Sequence, residues 1–246
     1  MKWDATNYDQ QHDFVAKYGE DLLKLLPDDA DTVLDIGCGT GILTQEIATM
    51  GYLVKGIDAS STMVASAQKK FPTIDFCQAD ILEFSTASHY DLLFSNAVFH
   101  WIPQQNRLLQ VCHHLLKDNG LLICEFGAKN NIIQIQTAFA QVLNTIGKDY
   151  HSPFFFPSDE EYRKQLKEAD FEIIRLFSYS RPTPLKGGKN GLKNWLQQFF
   201  ATELNELTTA QQAKVLQRTE EKLDSLWKKD HWEADYRRIQ VVARKI

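Results

Sequence analysis

The feature that most limits what this chain can become is a short apolar run that stops in a glycine-rich bend, Val33-Leu34-Asp35-Ile36-Gly37-Cys38-Gly39-Thr40-Gly41. Val33, Leu34 and Ile36 predict a strand buried on both faces, and Ile42, Leu43, Ile47 and Ala48 then recur at helical spacing. Gly37, Gly39 and Gly41 can take backbone angles closed to other residues and carry no side chain that would hold a ligand away. The free N–H groups of the bend and the positive end of the following helix converge on one small volume, which suits a carboxylate or a phosphate. A nucleotide-like ligand is expected there.

Spacing narrows the choice. A dinucleotide loop places glycine at its first, third and sixth positions, and the sixth here is Ile42. A phosphate-cradling loop closing in Gly-Lys-Ser/Thr is absent, since no lysine lies between Asp31 and Lys55. NAD and ATP both recede, which leaves a ligand with a ribose and no required phosphate. A second apolar run, Leu53-Val54-Lys55-Gly56-Ile57, ends in Asp58, and an acid at a strand end about 20 residues beyond such glycines can accept hydrogen bonds from ribose hydroxyls.

Asp35 to Gly41, Gly56-Ile57-Asp58, Ala79-Asp80-Ile81 and Asp91-Leu92-Leu93-Phe94-Ser95-Asn96 together resemble the ordered motifs of the class I S-adenosylmethionine-dependent methyltransferases, over roughly residues 30 to 127. Trp3, Tyr8, the stretch Asn96 to Ile102 and the C-terminal half are more narrowly similar to the trans-aconitate and malonyl-carrier-protein methyltransferase group. The resemblance implies S-adenosylmethionine as cofactor, with Gly37, Gly39 and Gly41 under its amino-acid and ribose portions and Asp58 on the ribose hydroxyls. Asp80 and Ile81 would meet the adenine edge, Met63 its face, and Asp35 the ammonium; Cys38, Ala59 and Asn96 complete the cofactor set. Tyr8 and His100 are the catalytic candidates, and Trp3, Trp101, Phe155, Arg181 and Lys186 the candidate acceptor contacts.

A chain of 246 residues with 43% hydrophobic content can bury one sizeable core. One structural domain is expected, with a lid over 1–30, a cofactor core over 31–127 and a C-terminal part over 128–246 that carries cap insertions. No apolar run approaches the roughly 20 residues that span a bilayer, and Met1-Lys2-Trp3-Asp4 does not open a signal peptide. A soluble, cytoplasmic protein without a membrane partner is expected, as a monomer or a homodimer. Cys38, Cys77, Cys112 and Cys124 form no Cys-x-x-Cys pair, so no metal is expected. Two readings stay open for Cys38, a reactive thiol and a small residue filling a tight turn. The net charge of −5 argues against nucleic-acid binding. Residues 1 to 130 carry 9 basic and 17 acidic side chains, against 18 and 15 in residues 131 to 246. Either solvated helix faces vary by chance, or the second half attracts an anionic acceptor.

Along the rest of the chain, Phe14 to Leu26 predicts an amphipathic helix that packs on the sheet or closes the site as a lid. Ser60 to Phe71 and Gln105 to Leu116 predict helices, and Asn119-Gly120 the stop before a fifth strand over Leu121 to Phe126. With a helix over Ile132 to Ile146, a capping box at Ser158–Glu161 and strands over Phe171 to Tyr179 and Tyr236 to Ala243, the resemblance implies a doubly wound, mostly parallel seven-stranded α/β sheet with a small helical cap. The basic, glycine-rich stretch 181–191 is expected as a surface hinge and Thr208 to Lys229 as one helix. His100 beside Trp101 lies beyond the fourth strand, at the edge where ligands sit; a catalytic and a structural role are both open for it. Carboxyl O-methylation of a small molecule is the leading expectation. N- or C-methylation, which would need a base, and non-catalytic S-adenosylmethionine binding are the alternatives.

Overall fold

The computed structural model describes Gly19 and residues 21–246. Trp3, Tyr8 and most of the expected leading helix lie outside the described residues. Two compact units are present, one holding the described residues up to Lys129 with Phe154–Ser178 and Arg238–Ile246, the other Asn130–Pro153 with Tyr179–Arg237.

The first unit is built on β1 (Thr32–Ile36), β2 (Leu53–Asp58), β3 (Asp75–Gln78), β4 (Tyr90–Asn96), β5 (Leu116–Gly127), β6 (Phe171–Ser180) and a strand near the end of the chain, numbered β9 below (Arg237–Lys245). They form one seven-stranded sheet in the order β3-β2-β1-β4-β5-β9-β6. β1 pairs parallel with β2 and β4, β2 with β3, and β4 with β5. β9 runs antiparallel to β5, from Leu121 opposite Arg244 to Gly127 opposite Arg238. The chain steps outward from β1 to β3 and then returns to β4 on the other side of β1. A crevice opens where such connections diverge, outside the carboxyl ends of β1 and β4.

β1 is buried on both faces, as its apolar run requires. Val33 joins Leu22, Leu26, Ile47 and Phe94 in one cluster, whereas Leu34 and Ile36 join Leu93, Leu108 and Phe126 in another. Helices α1 (Ile42–Thr49), α2 (Ser61–Lys70), α3 (Gln105–Leu115) and α5 (Asp159–Glu168) belong to this unit. Ser60 Oγ caps α2 by accepting from the Met63 amide at 3.4 Å, and the capping box expected at Ser158 and Glu161 is complete in both directions. The boundary between α3 and β5 differs from expectation. Leu116 already pairs with Tyr90, so Asn119-Gly120 lies within the strand instead of ending a helix. A register shift between Tyr90 and Leu92 accommodates it, Asn119 turns at φ 64, and a Cβ on Gly120 would stand 2.9 Å from the Lys117 carbonyl.

The second unit contains α4 (Ile133–Asn144), β7 (Thr183–Leu185), α6 (Gly191–Phe199), α7 (Ala201–Asn205), α8 (Thr209–Lys222) and β8 (Trp232–Ala234). Its core is aromatic: Phe139 and Phe200 pack at 4.6 Å, Trp195 stands edge-on to Phe200, and the Trp195 indole donates to the Tyr236 hydroxyl at 2.8 Å. The expected hinge at 181–191 is instead partly a strand. β7 pairs antiparallel with β8, which buries Thr183 and Leu185 to 1% and 4% exposure. The helix expected to reach Lys229 stops at Lys222, because Trp227 and Trp232 pack edge to face at 5.2 Å and draw the chain into a tight return that leads into β8. Among the described residues no helix is long and apolar enough to cross a membrane.

Candidate active site

The glycine bend is held from below by the Ile57 carbonyl, which accepts from the Gly37 amide at 2.8 Å and the Cys38 amide at 3.0 Å. Gly37, Gly39 and Gly41 all lie at positive φ, 75°, 54° and 82°. Their surroundings differ. A Cβ on Gly37 would stand 2.1 Å from Val98 and one on Gly41 2.7 Å from Phe76, whereas one on Gly39 meets nothing within 4 Å. The two outer glycines are thus demanded by the fold itself, and the middle one borders open space.

Asp58 turns back over that space. One carboxylate oxygen accepts from the Gly39 amide at 3.0 Å and the other from the Ser60 amide at 2.8 Å. Burial raises its pKa, while those two amides pull the other way. Asp35 is buried at the end of β1 and accepts from the Thr44 hydroxyl at 2.6 Å. Burial lifts its carboxyl to about 7 against that hydrogen bond, with a further push from the Asp58 charge. Burial also pushes the Cys38 thiol far up, which disfavours the thiolate and favours the reading of Cys38 as a small residue filling the turn.

At the neighbouring strand ends, the Ala79 amide donates to the Asp58 carbonyl at 3.0 Å and Gln78 Nε2 to the exposed Ala59 carbonyl at 3.3 Å. Asp80 is exposed and accepts from the Leu82 amide at 2.9 Å, while the Ile81 side chain is core and Met63 is buried on α2. The loops after β1, β2 and β3 therefore bring the glycines, Asp58, Ala59 and Asp80 to one edge of the sheet.

Beyond β4, Ala97 takes φ 62 and its amide donates to the Glu125 carbonyl at 2.7 Å, which turns the chain into the 3₁₀ turn Phe99–Trp101. Gln105, buried at the start of α3, pins that turn by donating to the Phe99 carbonyl at 2.8 Å. Asn96 is buried, and a Cβ on Gly19 would reach its Nδ2 at 3.0 Å, so the described end of the leading segment borders this spot. His100 is buried with Trp101 at 5.6 Å, Phe154 at 6.0 Å and Phe156 at 5.8 Å between ring centroids. Phe154 and Phe156 stack on each other, whereas Phe155 donates its amide to the His100 carbonyl at 2.8 Å and packs against the main core.

Arg181 and Lys186 belong to the second unit, where the Arg181 amide donates to the Tyr236 carbonyl at 2.8 Å and Lys186 is exposed beside β7. Sequence reasoning passed over Thr44, Gln105, Glu125 and Arg238. The last stands beside Arg237 at the head of the closing strand, where no local signal sets it apart.

The methyltransferase-domain family matches residues 33–120. An uncharacterized methyltransferase of Schizosaccharomyces pombe is 29% identical over 259 residues, covering 99% of this chain and 98% of that protein. A trans-aconitate 2-methyltransferase of an Azoarcus species is 36% identical over 123 residues, 49% of each protein, so this match spans about half the length of that relative. Among solved structures, a methyltransferase described as putative from Bacillus halodurans superposes with a TM-score of 0.64 at 15% identity, over 92% of this chain and 99% of that one.

Proposed function

Since this chain belongs to the class I S-adenosylmethionine-dependent methyltransferases and uses S-adenosylmethionine as its cofactor, we propose that its acceptor is a small molecule methylated on a carboxylate oxygen. The residues present fit the donor: the space over Gly39 is one that a single Cβ would fill, and Asp58, held by two amides, retains lone pairs for hydroxyl donors. Gly37, Gly39 and Gly41 would carry the amino-acid and ribose portions, Asp58 with Ala59 the ribose, Asp80, the Ile81 amide and Met63 the adenine, and Asp35 the ammonium. When bound, the cofactor supplies an electrophilic methyl group on a sulfonium. The protein's part is to align an acceptor with it and exclude water, and orientation alone is worth about 7–11 kcal/mol.

The observation that carries the carboxylate reading is the state of His100. Burial first, and the Arg238 charge second, hold its pKa well below the usual histidine value. The one titratable side chain in the turn after β4 is thereby a poor base at neutral pH, and a carboxylate needs none. The partial similarity to trans-aconitate methyltransferases supports the same reading. The test is a labelled-donor assay against a panel of carboxylates that includes a tricarboxylate and a malonyl thioester. Transferred label should be released as methanol by mild alkali; label that survives alkali would put the acceptor atom on nitrogen or carbon and overturn the proposal.

A further inference from the structure

The proton on the imidazole of His100 is assigned by its neighbours. The Gly127 backbone N–H can only donate, and it meets Nδ1 at 3.2 Å. Nδ1 must therefore present a lone pair, and in a neutral ring the proton sits on Nε2. Burial and one charged neighbour disfavour a second proton on the ring. Trp101, Phe154 and Phe156 are apolar, and the charged neighbour is Arg238, 4% exposed, whose Nε lies 3.6 Å from Oε1 of Glu125, 2% exposed. Glu125 also accepts from Gln240 Nε2 at 3.3 Å, so its charge is already engaged. Three aromatic rings crowd the imidazole, and the backbone that carries it is fixed. The His100 carbonyl receives the Phe155 amide at 2.8 Å, and Gln105 fixes the turn from the other side. Among the described residues nothing hydrogen-bonds Nε2.

We propose that His100 serves the acceptor as a hydrogen-bond donor through Nε2–H to an acceptor oxygen and takes no proton from it. This rests on the carboxylate reading above and deepens it: such a site selects an acceptor that arrives ionised, with oxygen lone pairs, over a protonated amine or a neutral hydroxyl. A base at this position would need its lone pair on Nε2, which would place a protonated Nδ1 against the Gly127 N–H. In the transfer the carboxylate oxygen forms the bond to the methyl carbon, the carbon–sulfur pair returns to sulfur, and no proton is left for the ring to remove. Val98, two residues before His100, is the side chain that a Cβ on Gly37 would strike, so this turn sits directly on the cofactor loop.

The test reads the tautomer in the intact protein, without acceptor, from the imidazole nitrogen shifts of ¹⁵N-histidine-labelled protein. His100 should show a protonated Nε2 and a bare Nδ1, unchanged between about pH 5 and 8. A protonated Nδ1, or a ring that titrates in that window, overturns the proposal; the carboxylate reading is decided separately by the acceptor assay, where alkali-stable product overturns it whatever the tautomer. A second arm compares His100→Gln, whose amide reaches the Nε2 position, with His100→Asn, whose amide reaches only Nδ1. The glutamine variant should keep kcat within about tenfold with a raised KM, while the asparagine variant should lose about 10–100-fold in kcat/KM, the span of one hydrogen bond to a charged group. Equal losses in both, with a wild-type rate limb near the ordinary histidine pKa, would sink it.

Discussion

Gly37 and Gly39 sit two residues apart at similar positive φ, yet they answer to different demands. Gly37→Ala should lower the melting temperature, because its Cβ would overlap the Val98 side chain at a backbone position that is already left-handed. Gly39→Ala has open space and should cost only about 1–2 kcal/mol for the left-handed backbone. It should nevertheless abolish calorimetric binding of S-adenosylmethionine, since the methyl group occupies the space assigned to the donor. Normal donor affinity in a folded Gly39→Ala protein would remove that assignment. Asp35 makes a second prediction, in which the sign matters. Its folded pKa is raised from 3.8 to about 7, so the stability it contributes is full below the unfolded value and is lost as pH climbs through about 7. Asp35→Asn keeps a neutral acceptor for Thr44. Its melting temperature relative to wild type should therefore rise between about pH 4 and 7 and level off above, with at most about 4 kcal/mol at stake. A difference that does not change with pH would mean that the carboxylate is not penalised there.

At the scale of elements, the far end of the sheet is tied by a clasp remote from the site. Asp91 accepts from the Thr32 amide at 2.9 Å, the Thr32 hydroxyl at 2.7 Å and Lys117 Nζ at 2.8 Å, which joins β1, β4 and β5. Burial works against its charge, and those partners nonetheless hold the carboxyl well below the usual range. Asp91→Ala should cost about 2 kcal/mol in urea denaturation, the loss of a charged hydrogen-bonding group that is still partly solvated, and leave donor affinity unchanged. Reduced donor affinity at unchanged stability would contradict this separation. The clasp shows why some contacts were legible in the sequence and others were not. The bend after β1, the acids at Asp58 and Asp80 and the capping box at Ser158–Glu161 are local signals, each contained in a few consecutive residues. Asp91 with Lys117, or His100 with Gly127 and Arg238, are pairings across strands, set by register that no local spacing encodes. Phe155 is intermediate. An extended run of three phenylalanines does alternate faces, but which two face His100 follows from the amide that Phe155 gives to the His100 carbonyl. The strand at Thr183–Leu185 was hidden by its own composition, because Pro184 and the flanking glycines read as a link and its partner lies at Trp232–Ala234.

For the whole molecule, the division into two units makes stability local. Phe200 is fully buried among Phe139, Tyr150 and Trp195, so Phe200→Ala should cost about 3–5 kcal/mol. Hydrogen exchange should register that cost as lost protection in α4, α6 and α8, while β1 and β4 keep theirs. A uniform loss across all seven strands would instead make the two units one cooperative body. The position of β9 has a temporal consequence. It fills the place between β5 and β6, yet its residues leave the ribosome only after every other element of both units has been made. Until residue 245 clears the exit tunnel, β5 and β6 each keep a bare edge, and a stalled nascent chain would present both to its neighbours.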